Sequence, residues 1–157
     1  MPPSGSGGSS VHVTTLPLRP LRPYPAAKFL SFLPLPSVQC RIAAGFPSPA
    51  EDWVEEKLDL NQLLIQRPAA TFFVRVEGDS MLGAGIHPGD LLVVDRSVKA
   101  TDGKVVLAIL DGEFTVKRLR LNPARLVAEN RAFPDILIGE DCTFEVWGVV
   151  TNVIHAL

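Results

Sequence analysis

The chain has 157 residues, 46% of them hydrophobic, which is the size of one domain with a tail. No apolar run approaches the ~20 residues that a membrane-spanning helix needs, so the sequence predicts no membrane association. The net charge of −2 is unevenly distributed, because residues 1–50 carry no acidic residue and all 17 acidic residues lie from Glu51 onward. An acidic globular part argues against direct binding of nucleic acid.

Residues 1–44 are predicted to form a flexible arm. Ten of the 14 prolines fall within residues 1–49, and residues 1–10 are nearly all Gly, Ser and Pro, which bury too little apolar surface to offset the entropy lost on ordering. Residues 11–42 are more apolar and could pack as extended chain. A secretory signal peptide is the alternative, but Pro34 and Pro36 interrupt the apolar run that such a signal requires.

Two short helices are predicted at the start of the body, which spans residues 45–157. A capping-box pattern that begins at Ser48 predicts a helix over residues 48–57. Asp59 is predicted to cap a second short helix over residues 60–66.

The rest of the body is predicted to consist of short antiparallel strands. Hydrophobic residues alternate with period two, and Asp111-Gly112 is a strong signal for a tight hairpin between two of the strands. The predicted strands cover residues 71–77, 91–95, 104–110, 113–121, 125–129 and 143–153. The body is therefore predicted to be mostly β, with helices only at its start.

Ser80 and Lys117 are the candidate catalytic residues of the sequence. Ser80 follows the first predicted strand in a glycine-rich turn, although such a serine, taken alone, is more typical of a helix-capping loop residue. Lys117 lies in the predicted strand 113–121, on the same face as Thr115 and Leu119, where the alternative is an edge-strand lysine that opposes aggregation. If Lys117 is buried beside Ser80, it can lose its charge and take the serine proton, so that no histidine is needed.

A stretch of small residues upstream, Ala43-Ala44-Gly45-Phe46-Pro47-Ser48-Pro49, is interpreted as a scissile site within the same molecule. Together with the serine and the lysine, it suggests a protein that removes its own N-terminal arm.

The other nucleophilic and metal-ligating residues form no motif. Cys40 and Cys142 lack metal-ligand spacing and are predicted to be free thiols in a reducing compartment, the cytoplasm. His12, His87 and His155 are scattered along the chain, so neither a metal ion nor a cofactor is predicted. Three aspartates flank turns and are interpreted as turn formers and caps: Asp79, Asp90 and Asp95.

Several motifs occur together in the body. The longest are Gly78-Asp79-Ser80-Met81, Gly85-Ile86-His87-Pro88-Gly89-Asp90-Leu91-Leu92-Val93-Val94-Asp95 and Glu113-Phe114-Thr115-Val116-Lys117-Arg118-Leu119. In combination they resemble the UmuD branch of the LexA/UmuD self-cleaving proteins, and shorter matches at residues 45–50, 59–65 and 147–150 extend the resemblance over about residues 40–157. The resemblance implies the compact, barrel-like fold of antiparallel β-ribbons that this family has in its C-terminal domain.

The resemblance also implies roles for individual residues. Ser80 would be the nucleophile, Lys117 the base, and the bond between Ala44 and Gly45 the one that is cut. The backbone amides around Ser80 and Met81 would form the oxyanion hole. The UmuD bond typically follows a cysteine, whereas the alanine here is the residue seen in the LexA repressors, and the arm is longer than the usual UmuD arm.

The function implied is that of a UmuD-like subunit of an error-prone translesion DNA polymerase in the SOS response. Its implied partners are a second copy of the chain, a UmuC-like polymerase and a RecA filament that acts as co-protease. No helix-turn-helix motif precedes the scissile site, so no direct nucleic acid binding is expected. Two alternatives remain open at this point: a signal-peptidase-like Ser-Lys protease acting in trans, and a non-catalytic scaffold with the same fold.

Overall fold

The computed structural model describes residues 23–26, 35–38 and 55–157. Within these residues the strands are β1 (Tyr24–Pro25), β2 (Leu35–Val38), β3 (Glu55–Leu58), β4 (Thr71–Arg75), β5 (Leu91–Asp95), β6 (Val105–Leu110), β7 (Glu113–Leu121), β8 (Ala124–Val127), β9 (Ile136–Leu137) and β10 (Phe144–Ile154). The α-helix α1 spans Leu60–Leu64, and a 3₁₀ turn spans Leu82–Ala84. None of the helices in this part of the chain is long and apolar enough to cross a membrane.

The strands form two antiparallel sheets. Eight of them lie in the order β1-β4-β5-β10-β6-β7-β8-β9, and β2 pairs separately with β3. Strand β10 pairs with β5 on one side and with β6 on the other, so the last strand of the sequence lies in the middle of the larger sheet. The mostly β, antiparallel fold predicted from the sequence is confirmed.

The β6–β7 hairpin is the clearest case of a local sequence signal that fixes local structure. Its two loop residues, Asp111 and Gly112, have φ angles of 49° and 86°. A two-residue loop with both φ angles positive matches the right-handed twist of the flanking strands, which is why Asp-Gly favours it. The hairpin aligns Leu110 with Glu113 and carries the register on to Lys117, which pairs with Val106.

The helices at the start of the body were predicted only in part. Asp59 caps α1 as expected, because its carboxylate accepts the backbone N–H of Asn61 at 2.9 Å. The predicted helix over residues 48–57 is wrong at its end, since residues 55–57 belong to strand β3, while residues 48–54 lie outside the described residues. Strand β3 pairs with residues 35–38, which are distant in the sequence. The local capping signal therefore does not decide the structure of residues 55–57.

The buried side chains form two clusters, and the first one underlies the Ser80 turn. Strands β4 to β7 contribute Val74, Leu92, Val94, Leu107 and Val116 to this cluster, and Val76 joins it from just past the end of β4. The turn itself contributes Met81 and Ile86, each only 2% exposed. Burying side chains of this size contributes about 1.5–3 kcal/mol each, so the residue next to Ser80 anchors the turn to the sheet.

Candidate active site

Lys117 is a buried lysine in the middle of strand β7. It is 9% exposed, and strand β6 pairs with β7 at this position. Burial lowers the pKa of the Lys117 ammonium below its ordinary value, because the charged form loses its hydration. Lys117 therefore reaches its neutral form at a lower pH than a surface lysine does, and the edge-strand interpretation does not fit its burial.

Ser80 lies in a loop of residues 76–90 that is closed at its base. The backbone N–H of Val76 donates to the carbonyl of Asp90, and the N–H of Gly89 donates to the carbonyl of Val76, both at 2.9 Å. Gly78 enters the turn with a φ of 83°, a left-handed conformation that glycine adopts without steric cost. Past the 3₁₀ turn, the N–H of Ile86 bonds back to the Met81 carbonyl at 3.3 Å.

The strand and the loop bring the two predicted residues into contact. The Nζ of Lys117 donates to the Oγ of Ser80 at 2.8 Å. It also donates to the Oγ1 of Thr115 and to the carbonyl of Val116, both at 3.1 Å. The Thr115 contact agrees with the prediction that Thr115 and Lys117 share a face of the strand. A serine hydroxyl thus lies within hydrogen-bond reach of a lysine of lowered pKa.

A small cavity opens beside this contact. Its volume is about 100 Å³. It is lined by Val76, Glu77, Gly78, Ser80, Met81, Phe114, Thr115, Val116 and Lys117.

An aromatic cluster supports the wall of the cavity formed by Phe114. The rings of Phe114 and Trp147 pack edge to face with their centres 5.7 Å apart, and the ring centre of Phe72 lies 4.9 Å from that of the same indole. The guanidinium of Arg96 lies 4.5 Å from the centre of the indole ring, a cation–π contact. The wall is therefore braced by strands β4, β7 and β10 together.

Two backbone N–H groups at the serine differ from those that follow them in the turn. Among the described residues, the amides of Ser80 and Met81 make no hydrogen bond, whereas the following amides of Leu82 and Gly83 bond to the carbonyls of Asp79 and Glu129. These are the two amides that the family resemblance assigns to an oxyanion hole.

A segment that the sequence analysis missed holds the loop from outside. The N–H of Gly83 donates to the carbonyl of Glu129 at 2.7 Å, and the Nδ2 of Asn130 donates to the carbonyl of Asp79 at 2.9 Å. Glu129 is itself paired with Arg118 of strand β7. We call residues 129–130 the docking segment. No sequence motif signals it, because it reaches the loop only through the register of β7 with β8.

Gly83 is the point at which the loop and the docking segment approach most closely. A Cβ placed on Gly83 would lie 2.6 Å from the carbonyl oxygen of Glu129, closer than real Cβ atoms approach such an oxygen. Glycine is needed at this position for close contact, not for an unusual φ angle.

Residues 36–151 match the family model described as Peptidase S24-like. The chain belongs to this family. It is 54% identical to Protein SamA of Salmonella typhimurium strain LT2 over 116 residues, which cover 73% of this chain and 81% of SamA. It is 52% identical to Protein ImpA of Escherichia coli over 118 residues, or 73% of this chain and 79% of ImpA. LexA repressor 1 of Xanthomonas oryzae pv. oryzae is 40% identical over 118 residues, covering 73% of this chain and 58% of the repressor. The predicted membership of the LexA/UmuD family is confirmed.

The scissile residues, the cysteines and the turn aspartates of this S24-like protein have different outcomes. Ala44, Gly45 and Cys40 lie outside the described residues, so the scissile bond stays a prediction. Cys142 is a free cysteine. The turn aspartates were predicted correctly in two cases, since Asp90 accepts the N–H of His87 and Asp95 that of Ser97, each at 2.7 Å. At Asp79 it is the backbone carbonyl that accepts hydrogen bonds from the described residues, from the N–H of Leu82 within the turn and from the Nδ2 of Asn130 outside it.

The histidines are less scattered in space than in sequence. His12 lies outside the described residues, but His87 and His155 meet at the carboxylate of Asp90. Their separation by 68 positions hides this contact from any spacing rule, because it depends on the pairing of β10 with β5.

Proposed function

We propose that this protein is a UmuD-like autopeptidase that cuts its own chain between Ala44 and Gly45, with Ser80 as nucleophile and Lys117 as base. The observation that supports this most strongly is the 2.8 Å contact between the buried Nζ of Lys117 and the Oγ of Ser80. Membership of a peptidase family supports the same class of reaction.

The three partners of the Nζ of Lys117 suit it to the role of base. A neutral amine has two N–H bonds and one lone pair. The carbonyl of Val116 and the hydroxyl oxygen of Thr115, both 3.1 Å away, can accept the two N–H bonds. The lone pair then faces the Oγ of Ser80 and takes its proton as that oxygen attacks the carbonyl carbon of Ala44.

The rest of the reaction uses groups beside the serine. The oxyanion formed at Ala44 is stabilised by the free amides of Ser80 and Met81, since donors already in place cost no reorganisation. The protonated Lys117 gives its proton to the departing amine of Gly45, and water then hydrolyses the Ser80 ester with Lys117 again as base. The small cavity beside the serine would receive the methyl side chain of Ala44.

In the cell, the reaction would activate the protein in SOS mutagenesis. A RecA filament on single-stranded DNA would act as co-protease and supply no catalytic residue. It would favour the conformer in which the arm lies beside Ser80, a shift of population that places the bond at an effective molarity of ~10⁵ M or more. The shortened product, as a homodimer, would serve a UmuC-like translesion polymerase in the cytoplasm.

The test is the intact mass of the full chain after incubation with and without an activated RecA filament. We expect a new fragment that begins at Gly45 and ends at Leu157, formed faster with the filament, and N-terminal sequencing identifies its first residue. Ser80→Ala should give no fragment, because the nucleophile is absent.

Two results would contradict the proposal. A fragment that begins at any residue other than Gly45 would refute the scissile bond, and a fragment from Ser80→Ala as abundant as that from the wild type would refute the nucleophile. Replacement of Gly45 by a bulky charged residue is the matched variant on the substrate side. It should block cleavage and leave the melting temperature unchanged.

A further inference from the structure

We propose that His87, Asp90 and His155 form a binding site for a late first-row divalent cation, Zn²⁺ in the first instance. One ligand atom of each residue lies within 4.8 Å of the ligand atoms of the other two. The three residues share no atom with the Ser80–Lys117 contact, so the site does not depend on the proposed cleavage.

The backbone brings the three residues together from two directions. Ile154 pairs with Leu91 in the antiparallel ladder of β10 and β5, so the next residues outward, His155 and Asp90, are opposite each other. His87 approaches from the other side within a tight turn, where the N–H of Asp90 donates to the His87 carbonyl at 3.1 Å. The cluster is a product of strand register and turn geometry, not of flexible side chains that happen to meet.

Asp90 is the fixed member of the cluster. It is 2% exposed, and its Oδ2 accepts the backbone N–H of His87 at 2.7 Å, which orients the carboxylate. A metal ligand held in place by a hydrogen bond of this kind is typical of protein metal sites.

The two histidines are the adjustable members. Their side chains are 46% and 45% exposed, and their ring centres are 4.9 Å apart. The Nδ1 of His155 lies 2.6 Å from Oδ1 of Asp90, and the Nδ1 of His87 lies 3.7 Å from Oδ2. A tetrahedral zinc ion with bonds of about 2.0–2.1 Å holds its ligand atoms about 3.4 Å apart, so small rotations of the imidazoles are enough to admit the ion.

The donor set selects the class of metal. Two imidazole nitrogens and one carboxylate oxygen suit Zn²⁺, Co²⁺, Ni²⁺ and Cu²⁺, whereas Mg²⁺ and Ca²⁺ prefer sites made wholly of oxygen. Three protein ligands leave further positions for water.

Bound zinc would join the residues after β10 to the base of the Ser80 loop, because Asp90 is the residue whose backbone closes that loop at Val76.

Calorimetric titration of the full chain with ZnCl₂ tests the proposal. We expect one zinc ion per chain. His87→Ala and His155→Ala should each lower the zinc affinity more than 10-fold, because loss of a group that only hydrogen-bonds a metal ligand already costs about 10-fold or more. Both variants should fold, since both side chains are exposed and the His87→Ala backbone still donates to Asp90. His12→Ala is the matched control and should bind zinc like the wild type. MgCl₂ should not compete.

Two further measurements separate this site from adventitious binding. Co²⁺ bound in place of zinc should give visible ligand-field bands without the thiolate charge-transfer band that ligation by Cys40 or Cys142 would produce. Zinc should also slow amide hydrogen exchange in residues 152–157 of the wild type but not of His155→Ala. The proposal is overturned if zinc does not bind, if both histidine variants bind as the wild type does, or if the cobalt spectrum contains the thiolate band.

Discussion

Strand β7 and the loop of residues 76–90 supply the two ends of the Ser80–Lys117 contact, and they are held in different ways. Lys117 lies on a nine-residue strand with partners on both sides, β6 and β8. Ser80 lies on a loop held by its closed base, by buried Met81 and Ile86, and by the docking segment. The position of Lys117 is therefore fixed by a ladder of strand hydrogen bonds, whereas the position of Ser80 depends on a few contacts.

The largest effect is expected on the strand side, where the chemistry of the base can be removed without disturbing the sheet. Lys117→Ala should slow self-cleavage by about 10²–10⁴-fold, the usual contribution of a general base. Lys117→Arg should not restore the rate, because a guanidinium stays charged. The rate of fragment formation, measured alongside the circular dichroism of each variant, checks both. Unchanged cleavage in folded Lys117→Ala would exclude the Ser-Lys mechanism.

A change in the loop should be almost as harmful, although it removes no reacting group. In Gly83→Ala the new methyl meets the Glu129 carbonyl, so the loop must move away from the docking segment. A displacement of about 1 Å can cost about 10²-fold in rate, and we expect a loss of this order. Gly139→Ala is the control, since a Cβ there has no atom within 4 Å. Equal rates for Gly83→Ala and Gly139→Ala would show that the docking segment does not set the position of Ser80.

The pH profile of cleavage without a filament tests whether burial in the sheet sets the reactivity of the base. Burial lowers the pKa of Lys117, so the reactive neutral amine increases as pH rises. The rate should climb about 10-fold per pH unit and level off at a pH below the ordinary lysine pKa of about 10.4. The residual rate of Lys117→Ala should lack this inflection. A wild-type plateau at or above the ordinary value would mean that burial does not tune Lys117.

The smallest effect is expected from a single hydrogen bond of the docking segment. Asn130→Asp keeps the oxygen that accepts the N–H of Ala132 but removes the Nδ2 that donates to the carbonyl of Asp79. A loss of about 0.5–1.5 kcal/mol corresponds to a rate lower by a few-fold to about tenfold. Asn152→Asp adds the same charge at an exposed position of β10 and should cleave at the wild-type rate. If both variants slow cleavage equally, the added charge is the cause.

The features that could be predicted from the sequence are those specified within a few neighbouring residues. Turn chemistry predicts the Asp111-Gly112 hairpin, helix capping predicts the role of Asp59, and period-two alternation predicts strand β7. All three signals are local. Ser80 and Lys117 were found because the resemblance to the LexA/UmuD proteins combined two motifs 37 residues apart. Alternation alone did not decide whether Lys117 was buried, since both faces of β7 mix apolar and charged residues.

The features that were missed depend on pairing between distant segments. Residues 55–57 carry a helical signal, but residues 35–38 pair with them as a strand. The docking segment meets Gly83 because the chain continues past β8, which is paired with β7, and His155 meets Asp90 because β10 returns beside β5. Each of these contacts is set by sheet register, which one sequence does not display.

The closed base of the Ser80 loop has a consequence for how this fold can change over time. A compact loop of 6–16 residues with adjoining ends is a self-contained unit, and residues 76–90 meet that description. At its base the loop is closed by the two backbone hydrogen bonds between Val76 and residues 89–90, and the guanidinium of Arg75 in β4 donates to the carbonyl of Gly89. Substitutions at exposed loop positions such as Leu82 can accumulate without altering strands β4 and β5, so the surface around Ser80 can diverge while the scaffold and Lys117 stay the same.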